Sequence, residues 1–108
     1  MTQLPKNPTL KDMQEHIKKL AIKRGWNKNN HLEIFLLLTE EIGELAKAVR
    51  NKTNLYTENN KKYHKEELEL EFADVMNYIF DLANYFDINL EEAFRKKDKI
   101  NAERNWKN

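Results

Sequence analysis

Two stretches of the sequence concentrate carboxylates at helical spacing. In Glu40-Glu41-Ile42-Gly43-Glu44, Glu41 and Glu44 are three apart and Glu40 and Glu44 four apart. At about 100° per residue such side chains are neighbours one turn apart. Glu71-Phe72-Ala73-Asp74 repeats the i, i+3 pairing. Leu38 and Ile42 flank the first group, and Phe72 and Val75 the second. The reading therefore sets the acids beside a core seam rather than on an ordinary wet face. Several carboxylates held together in partly dry surroundings need a compensating cation. An all-oxygen ligand set, with neither histidine nor cysteine, suits a hard cation such as Mg2+ or Mn2+. Magnesium held by carboxylates keeps waters and phosphate oxygens in its shell, an apparatus for phosphoryl chemistry. One acidic pair in a chain that is 34% charged would be surface decoration. Two pairs on helices that face each other carry the metal reading.

The other end of the chain carries the complementary charge. Lys97, Asn101 and Arg104 fall at i, i+4, i+7 and share one helix face, with Trp106 following. A cation, an amide and a guanidinium in a row could hold a polyphosphate, although cations near a helix C-terminus also offset its dipole, which suffices for Lys96 and Lys99. Trp26 follows Gly25, and His31 opens the next apolar run. An aromatic near such a site could stack on a base, against the plainer reading of loop packing. Lys18, Lys19, Lys23 and Arg24 make a small basic patch whose simplest account is a solvated helix face.

Helices must position these residues, because nothing in the sequence alternates with the period of two that strands require. There are two glycines and two prolines, and both prolines, Pro5 and Pro8, precede the first helical pattern. Four helices are expected. The first runs from about Leu10 to Arg24, with Thr9 as N-cap, Asp12 three residues later and Gly25 as stop; its stripe is Leu10, Met13, Ile17, Leu20 and Ala21. The second runs from about His31 to Asn51, with Asn30 and Glu33 as start signal and a stripe of Leu38, Ile42, Leu45 and Val49. The third runs from about Glu66 to Phe86, where Glu66 and Glu67 favour the N-terminal dipole. Its stripe of Leu68, Phe72, Val75, Ile79 and Leu82 is widened by Ala73, Met76 and Ala83, so it wants neighbours on several sides. After Asp87-Ile88-Asn89, with Asn89 and Glu92 as another start signal, the fourth runs to about Arg104. Residues 1–8 read as a flexible N-terminus and residues 52–65 as a polar connection, a lid or only a loop. Short links otherwise favour an antiparallel four-helix bundle in one all-α domain over 1–108.

Composition bounds the function. A chain of 108 residues makes one domain, and a helical domain of this size leaves apolar surface for a partner subunit. The formal charge of +1 demands neither nucleic acid nor an anionic membrane. Zero cysteines exclude disulfides, thiolate metal sites and cysteine nucleophiles. No apolar run approaches the roughly 20 residues of a membrane span, and Met1 to Asn7 lack a secretory stretch, so a cytoplasmic location is expected. A di-iron carboxylate bundle expects Glu-x-x-His pairs; Met13, Lys28 and Lys61 stand three before His16, His31 and His64, so the signature of that class is absent.

The segment from Leu38 through Glu40, Glu41 and Glu44, then Glu71-Phe72-Ala73-Asp74-Val75, then Lys97 to Trp106, resembles the MazG-like nucleoside triphosphate pyrophosphohydrolases of the all-α pyrophosphatase superfamily, to which dCTP pyrophosphatases and dimeric dUTPases also belong. The pattern of two adjacent glutamates, a third three residues on, a spacer and E-x-x-D is complete. The closing K-x-x-x-N-x-x-R and the tract Arg24-Gly25-Trp26 are also similar to the family's. The likeness extends from about Arg24 to Trp106. It implies a four-helix bundle assembled as a homodimer or homotetramer. It implies Mg2+ (or Mn2+) on Glu41, Glu44, Glu71 and Asp74, with Glu40 as a second-metal ligand or as the group orienting the attacking water. Lys97, Asn101 and Arg104 would contact phosphates, and Trp26 and His31 the base and sugar. The expected reaction is hydrolysis of a nucleoside or deoxynucleoside triphosphate at the α-phosphorus to monophosphate and pyrophosphate. The alternative is a non-catalytic helical module that binds nucleotide or a protein.

Overall fold

The computed structural model describes residues 3–53 and 65–104. Most of the polar connection, the first two residues and Trp106 lie outside them, as do the expectations that fall there. Among the described residues there are four α-helices and one 3-10 turn and no strand: α1 (Leu10–Arg24), η1 (Trp26–Lys28), α2 (His31–Lys52), α3 (Lys65–Tyr85) and α4 (Leu90–Glu103). No described helix is long and apolar enough to cross a membrane.

The boundaries follow from local chemistry. The Thr9 hydroxyl accepts from the Asp12 N–H at 3.1 Å while the Asp12 carboxylate accepts from the Thr9 N–H at 3.0 Å, a reciprocal cap that satisfies donors the helix leaves free. Asn30 and Glu33 do the same for α2 at 2.9 and 3.0 Å. Asn89 caps α4 by accepting from the Glu92 N–H at 3.1 Å. Gly25 ends α1 with φ 76°, a left-handed conformation that lacks steric cost only without a Cβ. Its early reversal creates η1, which the periodicity did not reveal.

The main packing is α2 against α3; α1 lies on α3, and α4 touches α1. Buried Gln14 organises the junction. Its Nε2 donates to Asn84 Oδ1 (2.9 Å) and to the Ile88 carbonyl (2.6 Å), and its Oε1 accepts from the Leu90 N–H (3.0 Å). One side chain thus ties α1 to the end of α3 and the start of α4. Asp87, at φ 57°, turns the chain so that the Ile88 carbonyl is presented.

The stripes expected from periodicity are only partly interior. Of the stripe residues Ala21, Leu38 and Ala83 are buried, joined by Ile34, Ala48 and Phe80 from outside the named stripes, but Ile42, Val49, Phe72, Met76 and Ile79 are exposed. The helices are apolar on more than one face, and periodicity alone could not say which face a single chain buries. α4 does not close a compact bundle in one chain: from Glu92 to Ile100 every residue is exposed. Leu36 and Phe94 are 69% and 70% accessible.

Candidate functional site

The facing surfaces of α2 and α3 bring the two acidic groups together. Glu41, Glu71 and Asp74 each offer a carboxylate oxygen within 4.8 Å of the others. Glu41 and Glu71 are half-buried and Asp74 is exposed. Glu71 Oε2 is a buried atom with no hydrogen-bond partner among the described residues, which is costly unless something cationic meets it. Burial raises the Glu41 carboxyl above its ordinary value, followed by the charges of Asp74, Glu71, Glu44 and Glu40. Burial likewise raises Glu71, followed by Asp74 and Glu44. Glu44 is therefore close enough to be felt by both, but it stands exposed outside the trio; Glu40 is exposed at the same edge. The expectation that the acids sit between core residues holds on the inner side, at Leu38 and Val75. Ile42 and Phe72 beside them face outward.

Two of the three, Glu41 and Asp74, line a cavity of about 550 Å³ together with Tyr78 and Asp81 from α3, and Leu20, Arg24, Trp26 and Asn29 from the α1–η1 side. A second cavity of about 270 Å³ shares Ala21, Trp26, Asn29 and Asp81 with it and continues to Lys18, Asn84 and Tyr85. Trp26 thus lines both cavities, and the Arg24 guanidinium lies 5.1 Å from its ring centroid, a cation–π contact. Neither cavity is lined by His31, whose ring packs 5.4 Å from Tyr85 and 5.8 Å from Phe86. Nor does α4 line either one. Lys97 and Arg104 are exposed and Asn101 half-buried, on the helix that projects from α1.

Tyr78 and Asp81 were not singled out from the sequence. With Asp74 they fall at i, i+4, i+7 on one face of α3, and that spacing was the available signal. The Tyr78 hydroxyl is raised above its ordinary value by burial and then by Glu41, Asp74, Asp81 and Glu40, so it remains a neutral donor at the edge of the acids.

A family model described as the MazG nucleotide pyrophosphohydrolase domain matches residues 29–105. The chain belongs to this family. Two Bacillus subtilis (strain 168) proteins, both uncharacterized, are relatives of this MazG domain. YpjD is 37% identical over 89 residues, 79% of this chain and 76% of its own. YvdC is 32% identical over 91 residues, 80% and 86% respectively. The crystal structure of Bacillus subtilis YpjD, described there as a proposed pyrophosphatase, superposes with a TM-score of 0.75 at 32% identity, covering 94% of this chain and 100% of that chain.

Proposed function

We propose that this MazG domain hydrolyses a nucleoside triphosphate at the α-phosphorus, releasing monophosphate and pyrophosphate, with magnesium on its clustered acids. The carrying observation is that Glu41, Glu71 and Asp74 converge within 4.8 Å at a cavity also lined by Trp26. The residues fit the cation: the donors are all oxygen, and the buried Glu71 Oε2 has no hydrogen-bond partner among the described residues. Glu41, Glu71 and Asp74 would hold it, with Glu44 one turn from Glu41 as the fourth carboxylate. Bound there, it supplies a Lewis acid that neutralises charge on triphosphate oxygens and lowers the pKa of an attacking water. Manganese belongs to the same hard class.

The remaining work falls to the chain. Glu40, exposed beside the cluster, accepts a hydrogen bond from the attacking water and aims it. Trp26 offers an indole face to the base. Lys97, Asn101 and Arg104 stabilise the departing pyrophosphate; because α4 lines neither cavity, they would act on the site of a second copy. A homo-oligomer would also cover Leu32, Phe35 and Leu36, exposed together on α2. His31 would affect the pocket only through Tyr85.

The test is pyrophosphate release from a panel of canonical and modified nucleoside triphosphates, with magnesium and with chelator. Magnesium-dependent pyrophosphate with matching monophosphate is expected, and Glu41→Gln or Asp74→Asn should abolish it while leaving helicity intact. Full activity in either variant, or orthophosphate in place of pyrophosphate, overturns the assignment. Silence across the panel leaves a nucleotide-binding module.

A further inference from the structure

Within the proposed reaction, the triphosphate end of a substrate is fixed at the acids, so the base must lie further along the lumen. Asp81 stands two turns beyond Asp74 on α3, about 10.5 Å along the helix axis, which leaves room for a sugar and a base. It lies where the two cavities meet, with Trp26 and Asn29 lining both. Its carboxyl is half-buried, yet no described residue engages it in a hydrogen bond or ion pair. Lys18 lines the smaller cavity and leaves it unpaired. Neighbouring Asn84 is already committed, accepting from Gln14 Nε2 at 2.9 Å and donating to the Gln14 carbonyl at 3.2 Å. The carboxylate lines the same lumen as the Trp26 indole, open to a ligand.

We infer that Asp81 is the specificity-determining residue for the base: its carboxyl oxygen accepts a hydrogen bond from the exocyclic amino group at the cytosine C4 or adenine C6 position, so that cytosine and adenine nucleoside triphosphates are taken in preference to those of uracil or thymine. Cytosine and adenine each present an amino donor there, whereas uracil, thymine and guanine turn a carbonyl lone pair to the same position. A carbonyl against a carboxylate leaves two acceptors opposed and unpaired, which a partly desolvated site penalises. Burial raises the Asp81 carboxyl above its ordinary value, and in either protonation state one of its oxygens still accepts from an amino group. The Asn29 side-chain amide supplies a second polar contact, and Trp26 holds the ring plane without regard to base identity.

The inference rests on the proposed reaction, and two measurements keep their failures apart. The first is the ratio of kcat/KM for dCTP to that for dUTP in the wild type, Asp81→Asn and Asp81→Ser. The wild type should favour dCTP. Asp81→Asn, whose amide can donate to the uracil 4-oxo group, should lower the ratio by about tenfold or more, the scale of one hydrogen bond to a charged group. Asp81→Ser should erode the preference without reversing it. The second is thermal stabilisation by dCMP and dUMP, which reads base preference without turnover. A silent pyrophosphate assay with dCMP favoured over dUMP only in the wild type would remove the reaction and keep the base reader. Equal base ratios in all three proteins, or a wild type that favours dUTP, would overturn the role of Asp81 whatever the chemistry.

Discussion

Glu71→Gln should make the metal-free protein more stable and, at the same time, indifferent to magnesium. Three carboxylate oxygens within 4.8 Å of one another repel. At that separation a pair of unit charges costs about 1 kcal/mol in water and about 3.5 kcal/mol at an effective dielectric of 20. The trio is half-open to solvent, with Asp74 exposed, so the lower figure applies. Removing the charge of Glu71 relieves its repulsion with Glu41 and with Asp74, about 2 kcal/mol together. The new amide can also donate to either neighbour. For a chain of this length that corresponds to a melting temperature higher by roughly 5–15 °C in chelator at low salt. Wild-type protein should instead gain about 2.7 kcal/mol from magnesium at a hundredfold excess over its Kd, a gain the variant should lose. The pH dependence has a definite sign. Because Glu41 and Glu71 are raised in the folded state, the native protein binds their protons more tightly than the unfolded chain does. Metal-free stability attributable to them therefore rises as pH falls from neutrality through these raised values, and magnesium flattens the trend. Thermal melts in chelator and in magnesium, from pH 7 down to just above the ordinary carboxylate range, read all of this. A metal-free Glu71→Gln melt at or below the wild type, or an undiminished magnesium shift in the variant, would refute the reasoning.

Gln14→Ala deletes three side-chain hydrogen bonds and leaves the Leu90 N–H and the Ile88 carbonyl without their partner; a loss of about 2–4 kcal/mol is expected, seen as an earlier denaturant midpoint. An unchanged midpoint would mean that the junction is held elsewhere. Leu36→Glu places a charge on the exposed α2 face. Sedimentation should show the wild type at a multiple of 13.0 kDa and the variant shifted towards a single chain, with activity falling in parallel if α4 serves a neighbouring copy. A monomeric, fully active wild type would sink that reading.

Much of the fold was legible because local signals agreed with it. Thr9 with Asp12, and Asn30 with Glu33, set helix starts that the structure reproduces, and Gly25 marks a stop enforced by its positive φ. The face each helix buries was less legible. Ile42, Val49, Phe72 and Ile79 satisfy a helical stripe as well as Leu38 or Phe80 does, and only the packing of one helix on another separates them. The acidic trio was readable because i, i+3 spacing survives folding unchanged. The reach of α4 was not, since where a helix projects depends on contacts such as those of Gln14, far away in sequence. Trp26 was readable as a candidate, but Asp81 was hidden among ordinary surface acids until the cavity placed it.

The cavity wall is divided between two parts of the chain. Every proposed metal ligand belongs to the α2–α3 pair, whereas Ile17, Leu20, Ala21, Arg24, Trp26 and Asn29 come from α1, η1 and the link that follows. Substitutions on the α1–η1 side can reshape the lumen while the carboxylate spacing, fixed by a different pair of helices, stays as it is. A scaffold partitioned in this way lets the size and shape of the lumen drift under selection, around an Asp81 that stays on α3, without moving the carboxylates themselves.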